Sequence, residues 1–110
     1  MKTDTFYISH IIHEIDYIQK KCEDKTIDDL YSDEDLQHIV SRALEIISEA
    51  SKNISPEMKS AHAQIPWKEM SGIRDKIIHG YFSINWIIVW DVINHEIGEL
   101  KSQLSEIQDP

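Results

Sequence analysis

Residues 36–50, LQHIVSRALEIISEA, place apolar side chains at Leu36, Ile39, Val40, Ala43, Leu44, Ile47 and Ala50. Steps of three and four mark one face of an α-helix, and a strand would alternate instead. Ser32 is read as the start of this helix, with Asp35 three residues on in the place of a capping-box acid. Upstream, Ile8, Ile11, Ile12, Ile15, Ile18 and Cys22 recur at the same spacing, while His10, His13, Asp16 and Lys20 fall on the other side. The stretch between them, EDKTIDDLYSDED (23–35), breaks the pattern with seven acids and reads as an exposed loop.

Downstream, NISPEM (53–58) interrupts the periodicity, and Ser55-Pro56 reads as the N-cap and first residue of a short helix. Pro66 opens another helix, carrying Trp67, Met70, Ile73, Ile77 and Ile78 to a stop at Gly80. A last helix is predicted from Asn85, with Ile84 and Val89 placed as a hydrophobic staple. Ile87, Trp90, Ile93 or Asn94, Ile97, Leu100, Leu104 and Ile107 lie along it at near-heptad spacing. Four amphipathic helices and one additional short helix predict an all-α, antiparallel four-helix bundle, a single domain over residues 1–110. With three glycines and three prolines, the chain is short of turn formers, which fits.

Composition narrows the function classes. Cys22 is the single cysteine, so no internal disulfide and no cysteine-rich zinc site can form. The most apolar run, INWIIVW (84–90), is far shorter than the ~18 residues of a membrane helix, and no apolar signal region comes after Lys2. A cytoplasmic protein without membrane attachment is expected. The formal net charge of −9 argues against nonspecific nucleic-acid binding, which needs lysine and arginine on phosphates. The charge is unevenly spread. Residues 51–82 hold Lys52, Lys59, Lys68, Arg74 and Lys76 against Glu57, Glu69 and Asp75, a local balance of +2, so the remainder sums to −11.

Within that positive part lies RDKIIHGYF (74–82), with a permanent cation, a titratable base and a phenol within eight residues. In a regular helix the step from Arg74 to His79 rotates about 140°, so the two share no face unless the helix unwinds before Gly80. The residues alone leave two readings open: an active site, or a surface arginine and a helix-end histidine favoured by the dipole. Other constellations carry less. His10-x-x-His13-Glu14 has metal-compatible spacing but lies on a polar helix face. The acids of 23–35 lack the spacing and central glycine of a calcium loop. Trp67, Trp86 and Trp90 read as packing residues, and there is no phosphate-cradling glycine loop or nucleophile elbow.

Arg-x-x-x-x-His after IPW, with GYF behind it, resembles the signature of HEPN-superfamily domains, and most nearly that of the HepT-like branch. LEIISEASKNISPEM (44–58) resembles that branch's second-helix signature, IPWKEMSGIRDKIIHGYF (65–82) its central motif, and INWIIVWDVI (84–93) the start of its last helix. Two positions depart from the usual pattern. Ser48 stands where glycine is frequent, and Asp75 where asparagine is frequent.

The resemblance implies the toxin of a HepT/MntA-type toxin–antitoxin system: a metal-independent ribonuclease without cofactor, working as a homodimer on RNA. Carried over residue by residue, Arg74 and His79 are the catalytic pair and Asp75 the polar residue supporting them. Lys68 and Lys76 are candidates for RNA binding. Tyr81 is the tyrosine onto which a minimal nucleotidyltransferase of the MntA type transfers AMP. The alternative is a non-catalytic HEPN module, a helical partner or substrate-presenting subunit of such a nucleotidyltransferase.

Overall fold

The computed structural model describes residues 3–79 and 83–108, without the side chains of His79 and Gln108. Helix α1, Asp4–Cys22, starts where the Thr3 hydroxyl accepts the Phe6 N–H at 3.3 Å. Asp4 in its first turn and Lys20 and Lys21 in its last complement the helix dipole. Ile8, Ile11, Ile15 and Ile18 are wholly buried, as the periodicity predicts, and Ile12 and Cys22 flank them half-buried.

The expected loop over 23–35 is corrected: it contains a helix. Helix α2, Ile27–Ser32, is held by a capping box in which Asp29 N–H donates to Thr26 Oγ1 and Thr26 N–H donates to Asp29 Oδ2 at 2.7 Å. Thr26, donating to that carboxylate from its N–H and also from its hydroxyl, holds the Asp29 carboxyl below its ordinary pKa. Leu30, wholly buried, anchors the turn to the core. Ser32 therefore ends α2. Asp33 is the N-cap of helix α3, Glu34–Lys52, accepting the Leu36 N–H at 3.1 Å.

Helix α4, Pro56–Ala61, has Ser55 as cap and Pro56 as first residue, as expected. The Asp4 carboxylate accepts both the Ser55 N–H at 2.8 Å and its hydroxyl at 2.6 Å, so the start of α1 meets the chain leaving α3. The two long helices are thus antiparallel.

The helix expected from Pro66 to Gly80 is two helices and a strand. Helix α5, Trp67–Ser71, and helix α6, Ile73–Ile77, part at Gly72. The chain then extends, and strand β1, Ile78–His79, pairs antiparallel with strand β2, Ser83–Ile84, with Ile78 opposite Ile84 and His79 opposite Ser83. Ile78 and Ile84 both pack against the core, and β-branched side chains suit extended backbone. Cross-strand pairing of this kind overrides the helical periodicity that carries the sequence reading past Ile77.

The last helix is also divided, into α7, Trp86–His95, and α8, Ile97–Gln108, at Glu96. Asn85 caps α7 by accepting the Ile88 N–H at 3.1 Å, as expected. Its buried face is Val89, Val92 and Ile93, so Ile87, assigned to the inward seam, instead points out with 63% exposure. On α8 the expected Ile97, Leu100 and Leu104 are buried. Gly98 lies beside Gln19 and Lys101 pairs with Asp16, which makes α8 antiparallel to α1. The architecture is all-α, a helical bundle of α1, α3, α5–α6 and α7–α8. No described helix is long and apolar enough to cross a membrane.

Candidate active site

Arg74 sits on the exposed side of α6, and its carbonyl accepts the Ile78 N–H as the helix turns into β1. Lys76, two residues on, lies about 200° around the helix axis and therefore on the opposite side. There its ammonium meets the Glu96 carboxylate at 3.0 Å, at the break between α7 and α8. Of the two cations, Lys76 is balanced locally, whereas Arg74 forms no ion pair among the described residues. Asp75 is exposed, and so is Lys68 on α5.

The position of α6 is fixed from α3. Ser48 is buried, and its hydroxyl donates to the Ser71 carbonyl at 2.6 Å, just before the break at Gly72. A glycine at 48 could not make this bond, so the serine does more than fill space. Replacing Ser48 with alanine would leave the Ser71 carbonyl without that donor in a part-buried place, at a cost of about 1–3 kcal/mol. The expected result is a lower urea midpoint with an unchanged m-value; an unchanged midpoint would mean that water replaces the hydroxyl.

Arg74 opens onto a cleft of about 410 Å³ between the first turns of α1 and the second half of α3. Its α1 wall carries Phe6, Tyr7 and His10, and its α3 wall Arg42, Glu45 and Glu49. The Phe6 ring meets Tyr7 edge-on at 5.3 Å between centroids and His10 at 4.5 Å. Sequence reasoning left His10 on a solvated helix surface and did not single out Arg42. The usable signal was the spacing of Phe6 and His10, one helical turn apart, which gathers rings on one side of α1.

His79 is brought to the same end of the molecule through its backbone, which comes directly after the residue capping α6. Because Arg74 is helical and His79 is in β1, their relation is set by the α6–β1 turn and no longer by rotation along one helix. The His79 side chain and the whole of Tyr81 lie outside the described residues. Trp67 is a packing residue, buried with its indole N–H donated to the His62 carbonyl at 3.0 Å; Trp86 and Trp90 pack half-buried against the core. Burial pushes the Cys22 thiol up in pKa, with Lys25 opposing it more weakly, so it is no activated nucleophile. Among the described residues no cluster of histidine, cysteine and carboxylate side chains could hold a metal ion.

A family profile described as Ribonuclease HepT-like matches residues 11–107. The chain is 41% identical over 107 residues to "Putative RNase TTE0752" from Caldanaerobacter subterraneus subsp. tengcongensis, an alignment covering 97% of this chain and 96% of that protein. It is 37% identical over 102 residues to "Probable ribonuclease HepT" from Thermococcus cleftensis, covering 93% of each. No solved structure matches.

Proposed function

The chain belongs to the HepT-like ribonuclease family, and on that premise we propose that it is the toxin of a HepT/MntA-type pair, a metal-independent endoribonuclease acting in the cytoplasm as a homodimer. The observation that carries this reading is Arg74: an exposed guanidinium, unpaired among the described residues, facing a cleft, with His79 and Tyr81 next in the chain. RNA holds its own nucleophile, the 2′-hydroxyl beside each phosphate. His79 takes the proton from that hydroxyl as the oxygen attacks phosphorus, since imidazole titrates near neutrality; the P–O5′ bond breaks, a proton passes to the departing 5′-oxygen, and a 2′,3′-cyclic phosphate is left on the other fragment. The Arg74 guanidinium binds the phosphorane-like transition state through paired hydrogen bonds. Asp75 supports the pair, and Lys68 contributes charge along the strand. Lys76, engaged by Glu96, is the weaker of the two lysine candidates.

Homodimerisation doubles the positive motif in one groove, offsetting an unfavourable net charge. The face we assign to the dimer is the outer side of α7, where Ile87 is exposed one turn before the half-buried Trp90. The test is RNA cleavage in EDTA alongside light scattering at micromolar concentration. The wild-type protein should cleave without added metal and have about twice the chain mass, and Ile87→Asp should lose both properties while keeping its helical spectrum. Cleavage that EDTA stops, or a monomer that cleaves normally, would refute the composite metal-free site.

A further inference from the structure

The cleft beside Arg74 is built for something other than phosphate. Its two guanidinium groups, Arg42 and Arg74, are matched by the carboxylates of Glu45 and Glu49, and Arg42 Nη1 stands 3.8 Å from Glu45 Oε2. A phosphate entering there would meet two carboxylates as well as two guanidinium groups, so the cleft as a whole offers it no net attraction. The floor is apolar, formed by Ile46 and Ala50, and one wall is aromatic. Phe6 touches the rings of both Tyr7 and His10, so the aromatic wall is a braced unit and not a lone exposed ring. The volume, about 410 Å³, falls in the range of small-ligand sites, roughly 300–1,000 Å³.

Planar faces stack on such a wall, and N–H donors are what carboxylates accept. Glu49 forms no ion pair among the described residues and is exposed, so its two oxygens are available. Guanine alone among the RNA bases presents two adjacent donors, N1–H and the 2-amino group, to the two oxygens of one carboxylate. Adenine and cytosine offer one amino group there beside a ring acceptor, which a carboxylate repels, and uracil offers a single N–H between two carbonyls.

We infer that this cleft is a base subsite that takes an unpaired guanine of the RNA strand, stacked on the Tyr7–His10 wall and read by Glu49 with Glu45. For the cleavage step after binding, the inference rests on the ribonuclease reading: Arg74, shared by cleft and motif, then sets the phosphate of that nucleotide at the reacting position. Glu45 and Glu49 are thereby specificity-determining residues and His10 is part of the stacking platform.

Two measurements on the full chain separate the inference from the reading it rests on. The first is binding of four short single-stranded 2′-deoxy oligonucleotides, which lack the attacking hydroxyl and differ only in one central base. The guanine strand should bind roughly tenfold or more tightly than the others, the discrimination typical of a paired base contact. Glu49→Gln, which keeps shape but offers one acceptor and one donor, should erase most of that preference, whereas His10→Ala should weaken all four strands, by roughly five- to a hundredfold as for loss of a stacked base. The second is cleavage of the matching ribo-oligonucleotides. Guanine preference in binding without cleavage upholds the subsite and sinks the ribonuclease reading. Cleavage with no base preference, or a preference that Glu49→Gln leaves intact, overturns the subsite alone. A cleft covered by a second copy of the chain would be revealed by Glu49→Gln or His10→Ala changing the mass in light scattering, and that too overturns it.

Discussion

Purified His79→Ala protein should cut single-stranded RNA about 10²–10⁴-fold more slowly than the wild type, the usual loss for a positioned general acid–base group. Arg74→Ala should lose about 10²–10³-fold, as expected for a donor that stabilises charge in the transition state. The two losses should not multiply, because residues that act as a unit are strongly non-additive. Arg74→Lys is the more informative change. It keeps the charge but gives up the planar fork, so partial activity would indicate attraction of phosphate, and near-complete loss would indicate paired hydrogen bonding. The Arg74 substitutions should not unfold the protein, since Arg74 is exposed and makes no ion pair among the described residues, and a helical spectrum checks the fold of His79→Ala. Thermal midpoints within about a degree or two of wild type are expected alongside the kinetic loss. Full activity in His79→Ala would remove the assignment.

The second large effect is regulatory. Incubating the wild-type protein with a minimal nucleotidyltransferase of the MntA type and ATP should silence RNA cleavage almost completely, with adenylyl groups mapped to Tyr81 by mass spectrometry. Tyr81 comes two residues after His79, and a phenol with an ordinary pKa near 10 is a poor proton acceptor at neutral pH, so a modification target suits it better than a catalytic role. On the proposed reading, an AMP attached there would add bulk and negative charge close in the chain to His79, and would block phosphate binding by occlusion and by repulsion of the kind that two like charges exert at short range. Tyr81→Phe should keep a substantial part of the cleavage activity and escape silencing altogether. Adenylyl groups on Tyr7, Tyr17 or Tyr31 with Tyr81→Phe still silenced would overturn it. Tyr7 is the sharpest control, because it lines the cleft beside Arg74.

The helical class was legible wherever the signal was local. Ile8, Ile11, Ile15 and Ile18 on α1, and Leu36, Val40, Leu44 and Ile47 on α3, are buried as their spacing requires. The caps at Ser55 and Asn85 could be read from one side chain and the amide three residues on. Helix α2 was equally local and was still missed, because the density of acids from Glu23 to Asp35 masked the Thr26–Asp29 capping box. Both residues of that box stand at the required spacing in the sequence, three apart.

Sequence alone therefore determined the buried faces of α1 and α3, the caps of α4 and α7, and the order of motifs that identifies the family. Each depends on residues three or four apart, or on matching residue types in a row. The tertiary structure decided the rest. Periodicity runs unbroken through Gly72 and Glu96, yet the chain divides at both, held by Ser48 on Ser71 from α3 and by Lys76 on Glu96 from α6. Ile78 fits a helical face as well as a strand, and pairing with Ile84 selects the strand. The cleft joins Tyr7, Glu49 and Arg74, residues far apart in the chain whose only relation is the packing of α1, α3 and α6. No pattern of spacing encodes that, because side chains from different helices meet only after the buried isoleucines and leucines have drawn the helices together.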